Sequence, residues 1–410
     1  GEFRMLVDGT LNIDESTNSG AREDTPPDVG GDVQVASVNV LNYFPTLRGE
    51  GGSGPNDLNP RGAGAEADLE RQTEKLVDAL TGTGAEVFAL QELENGGFAE
   101  GSAIDALVDA MNVEAAMTAS GANYAFVDPT ADGGFIGTDA ITTGIIYDAN
   151  AVSLVGSDFL VFEESSAAVT FALADVLNAV VPEGDQVGDF QRNRPAVAAT
   201  FEDNETGETF TIVSNHFKSK GPSGLDELVE AAQDYLDAGG TDITQADIDA
   251  LSNDPNYDQG DGQAFWNQVR ADASAEVQTR IENDYLGEGV ADFIIMGDLN
   301  AYAQEDPVQT LTDDPDLVDL IDQFIGQDDA YSFVFDGQRG ALDHAIASDD
   351  MAGMVTGAAE WHINADEPDL LNFNSAFNNA NFFEGSKFAS SDHDPLIIGI
   401  DTTPTDGLFG

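Results

Sequence analysis

The chain of 410 residues contains no cysteine, which excludes disulfides and thiolate metal sites and leaves stability to packing and bound cations. Lysine is almost as scarce, standing only at Lys75, Lys218, Lys220 and Lys387. Fourteen Lys and Arg face 77 Asp and Glu, for a formal net charge of −63. Low-complexity repeats are missing, and no apolar run reaches the roughly 18 residues of a membrane helix, so no membrane partner is expected. A hydrophobic content of 41% argues against disorder. A surface so acidic repels itself at low salt, but at about 1 M salt the Debye length shrinks to about 3 Å and the repulsion is screened. The composition therefore reads as an acidic globular protein from a salty medium.

Acidity alone argues against a nucleic-acid partner, because phosphate contacts normally come from Lys and Arg. The placement of the few cations argues the other way. Seven of the fourteen, Arg192, Arg194, Lys218, Lys220, Arg270, Arg339 and Lys387, lie in or beside the polar motifs described below. That distribution points to an anionic substrate.

Residues 1–31 are polar and rich in Gly, Asp and Pro and read as a tail or linker, as do residues 402–410. Gly1, Glu2 and Phe3 look vector-derived, and FRMLVDGT has the pattern of a strand from a preceding domain. Val33 to Val40 alternates as a strand and delivers Asn39 and then Asn42 at its end. Helical spacing follows over 66–80, then a buried strand over 87–90 that ends in Gln91-Glu92. A helix near 103–111 precedes strands near 124–127, 141–147 and 152–162. In the loop between the first two of these, Asp128, Thr130, Asp132, Gly133 and Asp139 match a calcium loop only loosely, which leaves a structural Ca2+ as one expectation. Residues 221–260 read as an acidic helical insertion. Asp258, Asp261 and Gln263 read as caps for a helix running to about 282, with cation binding as the alternative. A helical segment is expected over 317–324, and YSFVFDGQRGALDHAIAS reads as two strands joined at Asp336-Gly337. His362 reads as structural.

The chemistry gathers at strand ends. FIIMGDLN, residues 293–300, is a short buried strand that stops at an acid and an amide. Asp298 and Asn300 lie two apart, so an extended chain points both side chains to one side. Of only four histidines, three lie beside an Asp or Asn, in NHFKSK, LDHAIAS and SSDHDP. Asn39, Glu92, His216, Asp298, Asn300, Asp343, Asp392 and His393 all fall at strand ends or adjoining turns. Carboxylates without cysteine and with few histidines describe a site for a hard cation, Mg2+ or Mn2+. A histidine next to a carboxylate suits general acid–base work, and the set suits metal-assisted hydrolysis of a phosphate ester.

NVLNYF, LQE, NHFKSK, GDLNAYAQEDP, LDHAIAS and SSDHDP, in this order, resemble the endonuclease/exonuclease/phosphatase superfamily, related to DNase I. DQGDGQAFWNQVR and YSFVFDGQRGALDHAIAS, together with WHINADEP, further resemble the extracellular deoxyribonucleases of marine and salt-loving bacteria. The resemblance spans about residues 32–401 and implies one α/β domain, a four-layer α/β/β/α sandwich with two mixed sheets face to face. It implies Glu92 and Asp392 as cation ligands with Asn39 close by, and Asp298 orienting or deprotonating the attacking water. Asn300 would hold a phosphate oxygen, Asp343 would orient His393, and His216 would bind the phosphoryl oxygen or assist the leaving group. Asn39, Arg192, Arg194 and Lys218 are the expected phosphate or DNA contacts, with the choice between the two arginines left open by the spacing. The expectation is a secreted, monomeric, cation-dependent DNase that leaves 5′-phosphates, with RNA as substrate not excluded. A phosphomonoesterase or another phosphodiesterase of the same fold is the alternative.

Overall fold

The computed structural model of the protein describes residues 22–48, 54–375 and 383–403. The FRMLVDGT stretch lies outside them. Residues 22–31 pack on the body: Arg22 pairs with Glu367 at 2.6 Å, the Glu23 carbonyl accepts from the Trp361 indole, and Val29 is buried.

Fourteen strands are found among the described residues. They are β1 (Val33–Tyr43), β2 (Val87–Glu94), β3 (Tyr124–Phe126), β4 (Ile141–Asp148), β5 (Val152–Leu160), β6 (Ala196–Asp203) and β7 (Thr209–His216). The second half of the chain adds β8 (Phe293–Asp298), β9 (Leu317–Asp319), β10 (Phe333–Phe335), β11 (Gln338–Gly340), β12 (Asp343–Ser348), β13 (Val355–Glu360) and β14 (Leu396–Ile400). One six-stranded sheet has the order β13-β14-β1-β2-β4-β3, and the other β5-β6-β7-β8-β12-β9. Both are mixed, since β1 and β2 run parallel, as do β7 and β8, while their neighbours run antiparallel.

Side-chain alternation builds the layers. Val197, Ala199 and Phe201 of β6 and Ile294 and Met296 of β8 enter a core shared with Val35, Phe88 and Ile398 of the first sheet. Their neighbours Ala196, Ala198, Phe293 and Ile295 face the other way, onto Ala273, Val277 and Ile281 of the helix Asn267–Glu282. The helices Glu66–Thr83 and Ala103–Thr118 bury Leu76, Leu80 and Leu107 with the first sheet. The architecture is the four-layer α/β/β/α sandwich. The unbroken apolar run of β8 follows from burial on both faces.

Three local readings change. Residues 317–319 form the edge strand β9, and only Leu320–Phe324 is helical. YSFVFDGQRGALDHAIAS makes three strands, because the β10–β11 hairpin ends at Gly340 and β12 joins the second sheet separately. Asp258 and Asp261 accept from the backbone of Gly260 and Gln263 in tight turns, and the helix they precede starts at Asn267 without a side-chain cap.

Candidate active site

The registers of the second sheet assemble half of the site. His216 of β7 pairs with Asp298 of β8, and Asp298 pairs with Asp343 of β12, so three residues distant in sequence stand in one row. Gly297 makes this possible at its φ of +132°. A Cβ there would lie 2.2 Å from the Asn215 carbonyl oxygen, so β7 comes as close to β8 as only glycine permits. The first sheet delivers the rest at the same end. The ends of the parallel strands β1 and β2 carry Asn39 and Glu92, and the segment leading into β14 carries Asp392 and His393.

Asp298 is the centre. Its Oδ2 lies 3.4 Å from His216 Nε2, 3.9 Å from His393 Nε2 and 3.5 Å from Asn39 Nδ2, while its Oδ1 accepts from the Asn300 backbone at 2.8 Å. Burial pushes its carboxyl up to about 7 against the restraining charge of His393. His393 donates Nδ1–H to Asp343 Oδ2 at 2.7 Å. Burial disfavours its charge, but Asp343 and Asp298 outweigh that and hold it well above the ordinary histidine range. His216 is the opposite case, held neutral by burial and by the neighbouring Arg194 and His393. Two histidines in one site are thus driven apart in charge by their surroundings.

Glu92 occupies a bulge in β2 with a φ of +68°, a conformation that costs a glutamate about 1–3 kcal/mol. Asn42 holds it there, donating both its backbone N–H at 2.9 Å and its Nδ2 at 2.7 Å to Glu92 Oε2. Burial raises the Glu92 carboxyl, and the Asp392 carboxylate raises it further. Two oxygen-donor carboxylates that repel one another across one cavity fit a hard divalent cation, which would relieve that repulsion. Asn39 stands close to both acids: its Oδ1 accepts from the Leu41 backbone at 3.0 Å, its Nδ2 lies 3.5 Å from Asp298, and its side chain also hydrogen-bonds the Glu92 carboxylate.

A cavity of about 960 Å3 opens over this row. Glu92, Arg194, His216, Asp298, Asn300, Asp392 and His393 line it, with Arg61, Lys220 and Arg339 completing the cationic part. Asp343 stands behind His393. Of the two arginines Arg194 is the one that lines the cavity, its Nε donating to Asp139 at 2.9 Å and its Nη1 donating to the Phe217 carbonyl at 2.9 Å. Arg192 is not brought to the site. It is buried in an aromatic cage, 3.7 Å from the Phe190 ring centre, 4.3 Å from Trp266 and 4.9 Å from Phe171. Lys218 also turns away, donating to the carbonyl and hydroxyl of Ser219. Burial and then Arg194 press its amine down to about 7.

The calcium reading of the loop after β3 fails on its oxygens. Asp128 accepts from Thr130 and Gly133, and Asp139 is divided between Arg61 and Arg194. Among the described residues no cluster of three or more His, Asp or Glu side chains is arranged as a metal site.

Sequence reasoning left Ser332 out. Its Oγ donates to Asp343 Oδ2 at 2.6 Å and fixes the carboxylate that orients His393. Nothing in YSFVF marks that serine. Asn42 was visible at a strand end, but its bond to Glu92 depends on a bulge that the sequence does not announce.

No protein-family model matches the chain, and no curated protein does. Among solved structures the chain is similar to an endonuclease/exonuclease/phosphatase from Bacteroides vulgatus, at 13% identity and a TM-score of 0.47, over 90% of this chain and 99% of that one. It is similar to the human Nocturnin catalytic domain with bound sulfate, at 13% identity and a TM-score of 0.45, over 89% and 92%. A Danio rerio TDP2 complexed with single-strand DNA product matches at 14% identity and a TM-score of 0.43, over 89% and 97%.

Proposed function

We propose that the chain is a divalent-cation-dependent deoxyribonuclease of the endonuclease/exonuclease/phosphatase kind. It acts outside the cell in salty surroundings, with little sequence selectivity, and leaves 5′-phosphates. One observation carries the reading. A chain with 14 cations against 77 acids places Arg61, Arg194, Lys220 and Arg339 around one cavity, directly beside Asp298 and the His393–Asp343 pair. Cations kept at a hydrolytic constellation favour an anionic ester.

In the reaction a water oxygen bonds to phosphorus, the P–O3′ bond breaks, the phosphate stays on the 5′ carbon and the 3′ oxygen leaves and is protonated. Asp298 Oδ2 takes the proton of the attacking water. His393, steadied by Asp343, presents Nε2 to a phosphoryl oxygen. The neutral His216 and Asn300 face the same space, and Arg194 supplies fixed positive charge. Glu92 and Asp392 would hold the cation, Mg2+ or Mn2+, whose charge stabilises negative oxygen at phosphorus when bound. Asn39 and Asn42 keep Asp298 and Glu92 in place.

The low sequence selectivity rests on a lining of phosphate-directed cations, which carry no base information. The acidic surface supports the salt-adapted reading, since salt of order 1 M screens repulsion between protein and DNA. The test is nicking of supercoiled plasmid with and without Mg2+ across a salt series, with EDTA and Asp298→Ala as controls. Metal-dependent nicking that is lost in the variant and persists at about 1 M salt is expected. Intact plasmid at every salt, together with turnover of a small phosphomonoester, would replace the nuclease by a phosphatase.

A further inference from the structure

The hairpin β10–β11 overhangs the cavity and carries an aromatic side chain that the hydrolytic chemistry does not use. Phe333 and Phe335 lie two apart on one face, and both line the cavity. Phe333 packs inward, its ring centre 4.7 Å from that of His393. Phe335, about 7 Å further out along the strand, is 62% exposed. Among the described residues it is the one strongly exposed large apolar side chain that lines this cavity.

Local contacts fix the backbone from which that ring projects. Its tip is a two-residue turn with Asp336 and Gly337 both left-handed, at φ of 50° and 76°, the geometry that matches strand twist. Its base is tied to the catalytic row, because Ser332 accepts from the backbone of Leu342 and Asp343 and donates to the Asp343 carboxylate. Arg339, opposite Val334, pairs with Asp366 and lies 4.3 Å over the Tyr331 ring. Gly340 leaves no room to shift, since a Cβ there would lie 2.5 Å from the Tyr302 ring. The same cavity is also lined by Gly221, Gly262 and Lys220. The cavity lining therefore combines cations suited to a phosphodiester chain with one exposed aromatic ring.

We propose that Phe335 is a stacking platform for a nucleobase flanking the cleaved phosphate. The enzyme therefore takes its strand unstacked, as single-stranded or frayed DNA, ahead of intact duplex. This rests on the nuclease reading and names its substrate class. In a duplex each base is covered by its neighbours, and exposing a face to Phe335 requires unstacking that costs a few kcal/mol. Every base has such a face, so the platform is tolerant of sequence.

The test is kcat/KM in Mg2+ for wild type, Phe335→Ala and Phe335→Trp on three substrates: a single-stranded oligonucleotide, the same strand in duplex, and a chain of equal length whose bases are replaced by hydrogen. Wild type is expected to prefer the single strand over both others. Phe335→Ala should lower the ratio of single-stranded to base-free cleavage by about tenfold, within the range of one base–aromatic stack. Phe335→Trp should restore it, with thermal unfolding unchanged in both variants. A ratio equal in wild type and Phe335→Ala overturns the platform while leaving the nuclease standing. Failure of wild type to cut any of the three overturns the nuclease reading and the platform with it.

Discussion

Two histidine–aspartate pairs stand side by side in this protein, and the segment Ser391-Asp392-His393-Asp394 feeds both. His393 donates to Asp343 at 2.7 Å, and Asp394 accepts from His362 at 2.8 Å. The hydrogen bonds are the same, but the surroundings are not. The ring of His393 is buried, faces Asp298 and lines the cavity. That of His362 is stacked on Tyr331, with ring centres 3.9 Å apart and planes within 9°, and does not line it. Asp394 also accepts at Oδ1 from the backbone N–H groups of Asn364 and Ala365, which makes it an anchor for a loop. What the second ring nitrogen faces separates the two pairs: the cavity and Asp298 for His393, and no part of the cavity lining for His362.

The largest effect expected is on turnover. Asp343→Asn, which keeps the shape but removes the carboxylate charge that favours protonated His393, should lower kcat by about 10²–10⁴. His362→Gln should leave kcat nearly unchanged. Equal losses in the two variants, measured by plasmid nicking under saturating Mg2+, would erase the distinction drawn here.

The second effect is on stability, with the roles of the pairs reversed. Asp394→Ala strands two loop N–H groups and the His362 ring, and should cost about 2–4 kcal/mol in denaturant unfolding. Asp343→Asn should cost less. If Asp394→Ala unfolds at the wild-type midpoint, Asp394 is not the anchor described.

How much of this was legible in the sequence follows from what each residue needs. Asp298, His216, Asp343 and His393 could be read because each follows or precedes a strand whose apolar run is visible; register then aligns the first three, and His393 joins them from the segment leading into β14 of the other sheet. Arg192 and Arg194 could not be separated, because what draws Arg192 away is a cage made by Phe171, Phe190 and Trp266, and two of these rings come from distant parts of the chain. Lys218 was misplaced for a similar reason: its position in NHFKSK carries no record of which way the buried amine turns. β13, with the sequence VTGAAE, has too little apolar or β-branched content to announce a strand. It forms because β14 offers an edge to pair with.

The smallest effect expected is a pH dependence that belongs to the structural pair. Burial opposes the charge of His362, but the hydrogen bond and charge of Asp394, with Glu360 and Glu23 also near, raise it above the ordinary histidine value. Burial likewise pushes Glu360 up to about 7. Both groups bind protons more tightly in the folded chain than in the unfolded one. The stability they contribute is therefore complete below their unfolded values, about 4.5 for the glutamate and 6.5 for the histidine, and is lost as pH rises through the folded ones. Thermal unfolding followed from about pH 5 to 8.5 should show a decline toward high pH that is shallower in His362→Gln than in wild type, with the residual slope belonging to Glu360 and the chain's other buried acids. A slope identical in the two proteins would mean that Asp394 holds the His362 ring without favouring its charge, and the resemblance between the two pairs would then end at their geometry.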